Sequence, residues 1–178
     1  MTWSQRLKLA IVIVVGVILQ TTLFSTGLRV FGVTPDVALV LTAAVAYYQG
    51  PERGATFGFF AGLVIDLFLN TPFGLSALSF ALVGYGIGVV QSGLVRASRW
   101  VPPIMGVLGG LAGGALFVCI GAFAGREELL ALRSMKVVII AGVYDGFLAL
   151  VAFPVARWAT RGPSREARGR LGRGWVAR

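Results

Sequence analysis

The chain contains no histidine and a single cysteine, Cys119. Without histidine, the commonest general base and the commonest zinc ligand are both missing. With one cysteine, neither an intrachain disulfide nor a multi-thiolate metal site can form. Acidic residues are scarce too: 7 Asp and Glu stand against 16 Lys and Arg, for a net charge of +9. Charged residues of either sign make up only 13% of the 178 residues. No phosphate-binding loop, haem motif or metal-ligand spacing occurs, and a serine nucleophile would find no imidazole partner. No cofactor and no catalytic residue is expected.

What fills the chain instead is apolar. Hydrophobic residues reach 57% and the mean hydropathy is +0.84, a balance that belongs to polytopic membrane proteins rather than soluble domains. Six apolar spans are predicted, at about 7–24, 34–48, 54–70, 75–95, 104–124 and 137–156, followed by a basic tail at 157–178. The fold expected is an all-α membrane protein, a compact glycine-packed bundle of six transmembrane helices.

The first span follows Arg6 and Lys8 as a secretory signal would, but no A-x-A-like cleavage site comes after it, so it reads as uncleaved. Thr34-Pro35-Asp36 opens the second with a capping residue, a first-turn proline and a negative charge at the positive end of the helix dipole. That span is short. Roughly 15 residues at ~1.5 Å each fall below the ~30 Å of hydrocarbon, so either Val30–Val33 also lies in the membrane or the bilayer thins. Gln49–Arg53 reads as a tight turn, and Pro72 with Gly74 ends the third span.

Basic residues orient the spans. With the N-terminus inside, 12 of the 16 Lys and Arg fall on inner segments, leaving Arg29, Arg126, Arg133 and Lys136 outside. Six spans with both termini cytoplasmic satisfy the positive-inside rule. Trp3, Trp100, Trp158 and Trp175 also fall on the inner side, and indole prefers the interface. Arg157, Arg161, Arg165, Arg168, Arg170, Arg173 and Arg178 form a tail opposed only by Glu166, too charged to pack a core. In a soluble chain this run would suggest nucleic acid. Here it reads as a topology signal and a contact for anionic lipid, with no nucleic-acid role.

One stretch organises the rest. Gly54, Gly58, Gly62 and Asp66 recur every four residues, so they lie along one side of a helix whose other faces carry phenylalanine, leucine, valine and isoleucine. Small residues at that spacing let another helix backbone approach closely in a membrane. Gly106, Gly110 and Gly114 form a second such stripe in the fifth span. These positions are candidates for helix packing or a partner interface, and the stripe of span five is the kind of internal partner expected for span three. The intramembrane polar candidates are Gln20, Asp66 and Asp145. In this topology both acids lie in the outer half, Asp145 roughly 12 Å deep. They could meet if spans three and six are neighbours. An intramembrane aspartyl protease would use two such acids, but its GxGD element is absent from Gly62-Leu63-Val64-Ile65-Asp66. A transporter or ligand-binding subunit would place them in an outward cavity. The bland alternative is that each acid pins helices together.

The order and spacing of several elements resemble the rod shape-determining MreD family over about residues 9–156. The resemblance rests on Gln20, on Pro35-Asp36, on Gly58-Phe59-Phe60-Ala61-Gly62-Leu63 running on to Asp66-Leu67, and on Phe73-Gly74-Leu75-Ser76-Ala77-Leu78-Ser79-Phe80. It implies a non-enzymatic scaffold of the bacterial cell-elongation machinery in the cytoplasmic membrane. The implied partner is MreC, a single-span protein, and through it the MreB filament, the RodA glycosyltransferase and its transpeptidase partner. The family is also similar in architecture to the substrate-binding subunits of ECF vitamin transporters, which keeps a solute-binding reading in play. A carrier should show a closed polar pocket; a scaffold should show a lipid-facing groove free to take another helix.

Overall fold

The computed structural model describes residues 3–24, 35–68, 73–93, 101–125 and 132–160. Among the described residues there are six α-helices and no strand. Helix α1 (Trp3–Leu19) passes into a π-helical turn at Gln20–Phe24; α2 (Val37–Gln49), α3 (Pro51–Asp66), α4 (Leu75–Ser92), α5 (Val101–Phe123) and α6 (Leu132–Thr160) follow.

Glycines decide how these helices pair. A Cβ on Gly54 would fall 2.7 Å from the Gly84 carbonyl oxygen, and one on Gly62 would fall 2.6 Å from Ala77 Cα. Gly88 lies equally close to Pro51, and Gly58 to the Phe80 carbonyl. Helices α3 and α4 therefore pack as an antiparallel hairpin with backbone against backbone, which only residues lacking a side chain permit. A second antiparallel hairpin joins α5 to α6. Gly106 faces Ala149, Gly110 faces Gly142 and Asp145, and Gly114 faces Val138.

Helix α2 lies between the hairpins and touches every other helix. All of Val37–Tyr47 is buried. Gly109 and Gly113 of α5 open onto its Ala43 and Leu39, and Gly16 of α1 onto its Leu41. Its length now has a physical reason. Thirteen residues give about 20 Å, less than a bilayer core needs, but a helix wrapped in protein has no lipid thickness to match. Helix α1 closes the bundle against α6, α2 and α3.

The outside is more apolar than a water-soluble surface tolerates. Phe60, Leu82, Val90, Leu108, Phe147 and Val151 are all exposed. Helices α4 and α5 and residues Met135–Thr160 of α6 are long and apolar enough to cross a membrane. The chain is a membrane protein.

Several expected boundaries shift. The turn at Gln49–Arg53 contracts to Gly50 alone, with φ 87° between α2 and α3, and Pro51 is already the first residue of α3. Pro102 and Pro103 lie in the first turn of α5, where missing backbone donors cost nothing. The N-cap of α2 is Asp36. Helix α3 ends at Asp66 rather than near residue 70, and α6 extends past 137–156 at both ends. Thr34, Pro72, Arg29, Trp100, Trp175 and the tail arginines 161, 165, 168, 170, 173 and 178 lie outside the described residues.

Candidate functional site

Each intramembrane acid holds the start of a helix other than its own. Helix α4 begins after Gly74, which has φ 97° and no side chain with which to cap. Asp66 supplies the cap from the end of α3. Its Oδ2 accepts the backbone N–H of Gly74 at 2.9 Å and of Ala77 at 3.2 Å, and its Oδ1 accepts that of Ser76 at 3.1 Å. Asp66 is only 4% exposed. The first-turn N–H groups of a helix have no intrahelical acceptor, and a carboxylate meets both that need and the positive end of the dipole. A tolerable buried acid and a capless helix start thus solve each other.

The start of α2 is served by three side chains from three helices. Asp36 is its own N-cap, accepting the Leu39 N–H at 3.1 Å. Gln20, in the π-helical turn after α1, accepts the Ala38 N–H through Oε1 at 3.1 Å and also hydrogen-bonds the Asp36 side chain. Asp145, midway along α6, accepts the N–H of Asp36 itself through Oδ1 at 2.8 Å. Asp145 is 1% exposed, and its Oδ2 sits over Gly110, where a Cβ would collide with it. The stripe on α5 therefore makes room for the acid on α6.

At the opposite end the side chains of α1 and α2 reach the end of α6. Gln5 Nε2 and Gln49 Nε2 donate to the Thr160 carbonyl oxygen at 3.0 and 3.3 Å. Lys8 Nζ lies 4.9 Å from the centre of the Trp158 ring.

The structure thus brings Gln20 and Asp145 together at one helix start, with Asp36, to which the sequence assigned only a structural role. It does not bring Asp66 to Asp145. Helix α3 packs mainly on α4 and α2, whereas α6 packs on α5, α2 and α1. The Gly54/Gly58/Gly62 stripe meets α4 and, through Ala46 and Thr42, α2; it does not meet the stripe of α5, which is committed to α6. A two-acid catalytic site needs two carboxyl groups on one substrate, and these two serve different helix starts. The Gln5–Thr160–Gln49 junction left no trace in the sequence, since neither glutamine belongs to a motif.

A groove remains. Between α5 and α6, on the outer face, lies an open cavity of about 710 Å³ lined by Pro103, Ile104, Val107, Leu108, Val143, Gly146, Phe147 and Leu150. Every lining residue is apolar. Among the described residues no cluster of His, Cys, Asp and Glu could hold a metal ion.

No curated protein and no solved structure matches the chain. A family model described as rod shape-determining protein MreD matches residues 3–121, a span that takes in the α3–α4 hairpin, the central helix, Gln20, Asp36, Asp66 and nearly all of α5. With more than half of its length matched, the chain belongs to the rod shape-determining protein MreD family.

Proposed function

We propose that this protein is a non-enzymatic scaffold of the rod-shape machinery in the bacterial cytoplasmic membrane, crossing it six times with both termini cytoplasmic. On this reading it receives the single transmembrane helix of an MreC-like protein and, through it, helps position lateral peptidoglycan synthesis by the RodA glycosyltransferase and its transpeptidase partner along MreB. The observation that carries the reading is the open, wholly apolar groove between α5 and α6. An open apolar trough on the outer face, lined by Phe147, Leu150 and Gly146 among others, is what a scaffold needs. The alternative, a solute-binding subunit of an ECF-type transporter, draws less support. The polar side chains that could line a solute pocket, Gln20, Asp36, Asp66 and Asp145, accept hydrogen bonds from helix starts.

The test is co-purification of tagged MreC with variants of the groove. Val143→Trp fills it from the α6 wall and Ile104→Trp from the α5 wall, both from exposed positions. Gly86→Leu, on an open face of α4, is the control. The reading expects both groove variants to lose MreC while keeping the control's thermal midpoint in detergent. Retention of MreC by a folded Val143→Trp variant would move the partner to another face.

A further inference from the structure

The end of the bundle where α1 begins and α6 finishes carries cations that have no counterion among the described residues. Lys8 Nζ rests over the face of Trp158, and neither Lys8 nor Arg157, in the last turn of α6, forms an ion pair with a described residue. Glu52, the one described acid near this end, is exposed at the start of α3 and pairs with neither. The same two helix ends carry exposed indoles: Trp3, at the start of α1, is 81% exposed and Trp158, near the end of α6, 59%. The junction is built rather than incidental, because the Thr160 carbonyl oxygen accepts from both Gln5 of α1 and Gln49 of α2, which ties the two chain regions together. It also lies at the right depth. The apolar part of α1 begins at Leu7 and that of α6 ends at Thr160, so Lys8 and Arg157 sit where hydrocarbon gives way to headgroups.

We propose that the start of α1 and the end of α6 form a binding site for the headgroup of an anionic phospholipid, Lys8 and Arg157 meeting the phosphate and Trp3 and Trp158 lying at the glycerol level. Three physical facts favour this occupant. An ammonium over an indole face keeps its charge and still presents N–H donors away from the ring. Indole settles at the membrane interface, where its ring is apolar and its N–H is wet. Basic residues at a membrane surface attract anionic lipid by about a fivefold gain in affinity each, at moderate salt. The site belongs to the folded bundle and is separate from any contact made by the arginines beyond residue 160. The inference rests on the membrane reading but not on the scaffold role, since its test involves no protein partner.

The experiment uses the full-length chain in uncharged detergent. Arg161, Arg165, Arg168, Arg170, Arg173 and Arg178 are replaced by glutamine to silence the tail, and Trp100 and Trp175 by phenylalanine so that only Trp3 and Trp158 of the site fluoresce. Brominated phosphatidylglycerol and brominated phosphatidylcholine are titrated separately, and quenching is read. The expected result is tighter quenching by phosphatidylglycerol, a preference that falls about fivefold with Lys8→Gln and about fivefold with Arg157→Gln and survives in Lys8→Arg. Thermal midpoints in phosphatidylcholine check that each variant is folded; should Lys8→Gln unfold, Arg157→Gln alone decides. Equal quenching by the two lipids, or an unchanged preference in the folded double variant, overturns the site. Displacement of the lipid by inorganic phosphate at matched ionic strength would show a free-anion site instead and overturn the lipid assignment.

Discussion

Asp145 Oδ1 accepts the backbone N–H of Asp36 at 2.8 Å, so an acid midway along the last helix grips the first turn of the central one. Asp66 does the same for α4 from the end of α3, but with both oxygens. The difference between one accepting oxygen and two separates the behaviour of the two acids on substitution.

Asparagine should be tolerated at 145 and not at 66. Asp145→Asn keeps a carbonyl oxygen for the Asp36 N–H. Asp66→Asn turns one accepting oxygen into a donor that faces N–H groups, so the same shape no longer fits. We expect Asp66→Asn to cost about 1–3 kcal/mol, the penalty of leaving a buried backbone donor unmet, and Asp145→Asn less than half of that. Asp145→Ala, which removes the acceptor, should cost as much as Asp66→Asn. Thermal unfolding of the purified chain in detergent measures all three, and equal effects of the two asparagine variants would contradict the hydrogen-bond assignment.

The glycines supply a paired test. Gly58 lies against the Phe80 carbonyl group and Thr42 Cγ2, whereas Gly86, on the exposed side of α4, has nothing within 4 Å of where a Cβ would stand. Gly58→Ala should destabilise by about 1–3 kcal/mol through overpacking. Gly86→Ala should be neutral or stabilise by up to about 1 kcal/mol, since alanine restricts the unfolded chain. Comparable midpoints for the two variants would show that α3 and α4 do not touch in the membrane.

Gln20 is expected to matter through its oxygen alone. Gln20→Leu preserves bulk but leaves the Ala38 N–H without its acceptor, and should cost about 1–2 kcal/mol, in the range of a lost N-cap. Gln20→Glu keeps the oxygen but sets a third carboxyl group beside Asp36 and Asp145, and should be no better than leucine at neutral pH. Rescue of the glutamate variant at acid pH, read by the same unfolding assay, would show that charge rather than shape is the cause.

The proposed topology makes the α5–α6 connection external. Reporter fusions after Glu128 should read as periplasmic and fusions after Arg53 as cytoplasmic. A cytoplasmic signal at Glu128 would invert or break the six-span arrangement.

Composition and local pattern determined much of this protein without any tertiary information. The scarcity of charge and absence of histidine set its class. The four-residue recurrence of Gly54, Gly58, Gly62 and Asp66 marked one side of a helix for close approach, because helical geometry makes that spacing a stripe whatever lies opposite. The MreD family was legible for the same reason, as an ordered set of local motifs. What lies opposite was decided only in three dimensions. A stripe of glycines fits any backbone equally well, so nothing in the spacing selects α4 for α3 or α6 for α5; the antiparallel return through Gly74 does that for the first pair. Asp36 illustrates the same limit. Its capping chemistry is local and readable, but its grip by Asp145 joins residues 109 positions apart and follows from α2 being enclosed on all sides. The short length of α2 was puzzling as a membrane span and becomes natural as a protein-wrapped core. No local signal carries that information, because burial is a property of the neighbours a helix acquires, not of the residues it contains.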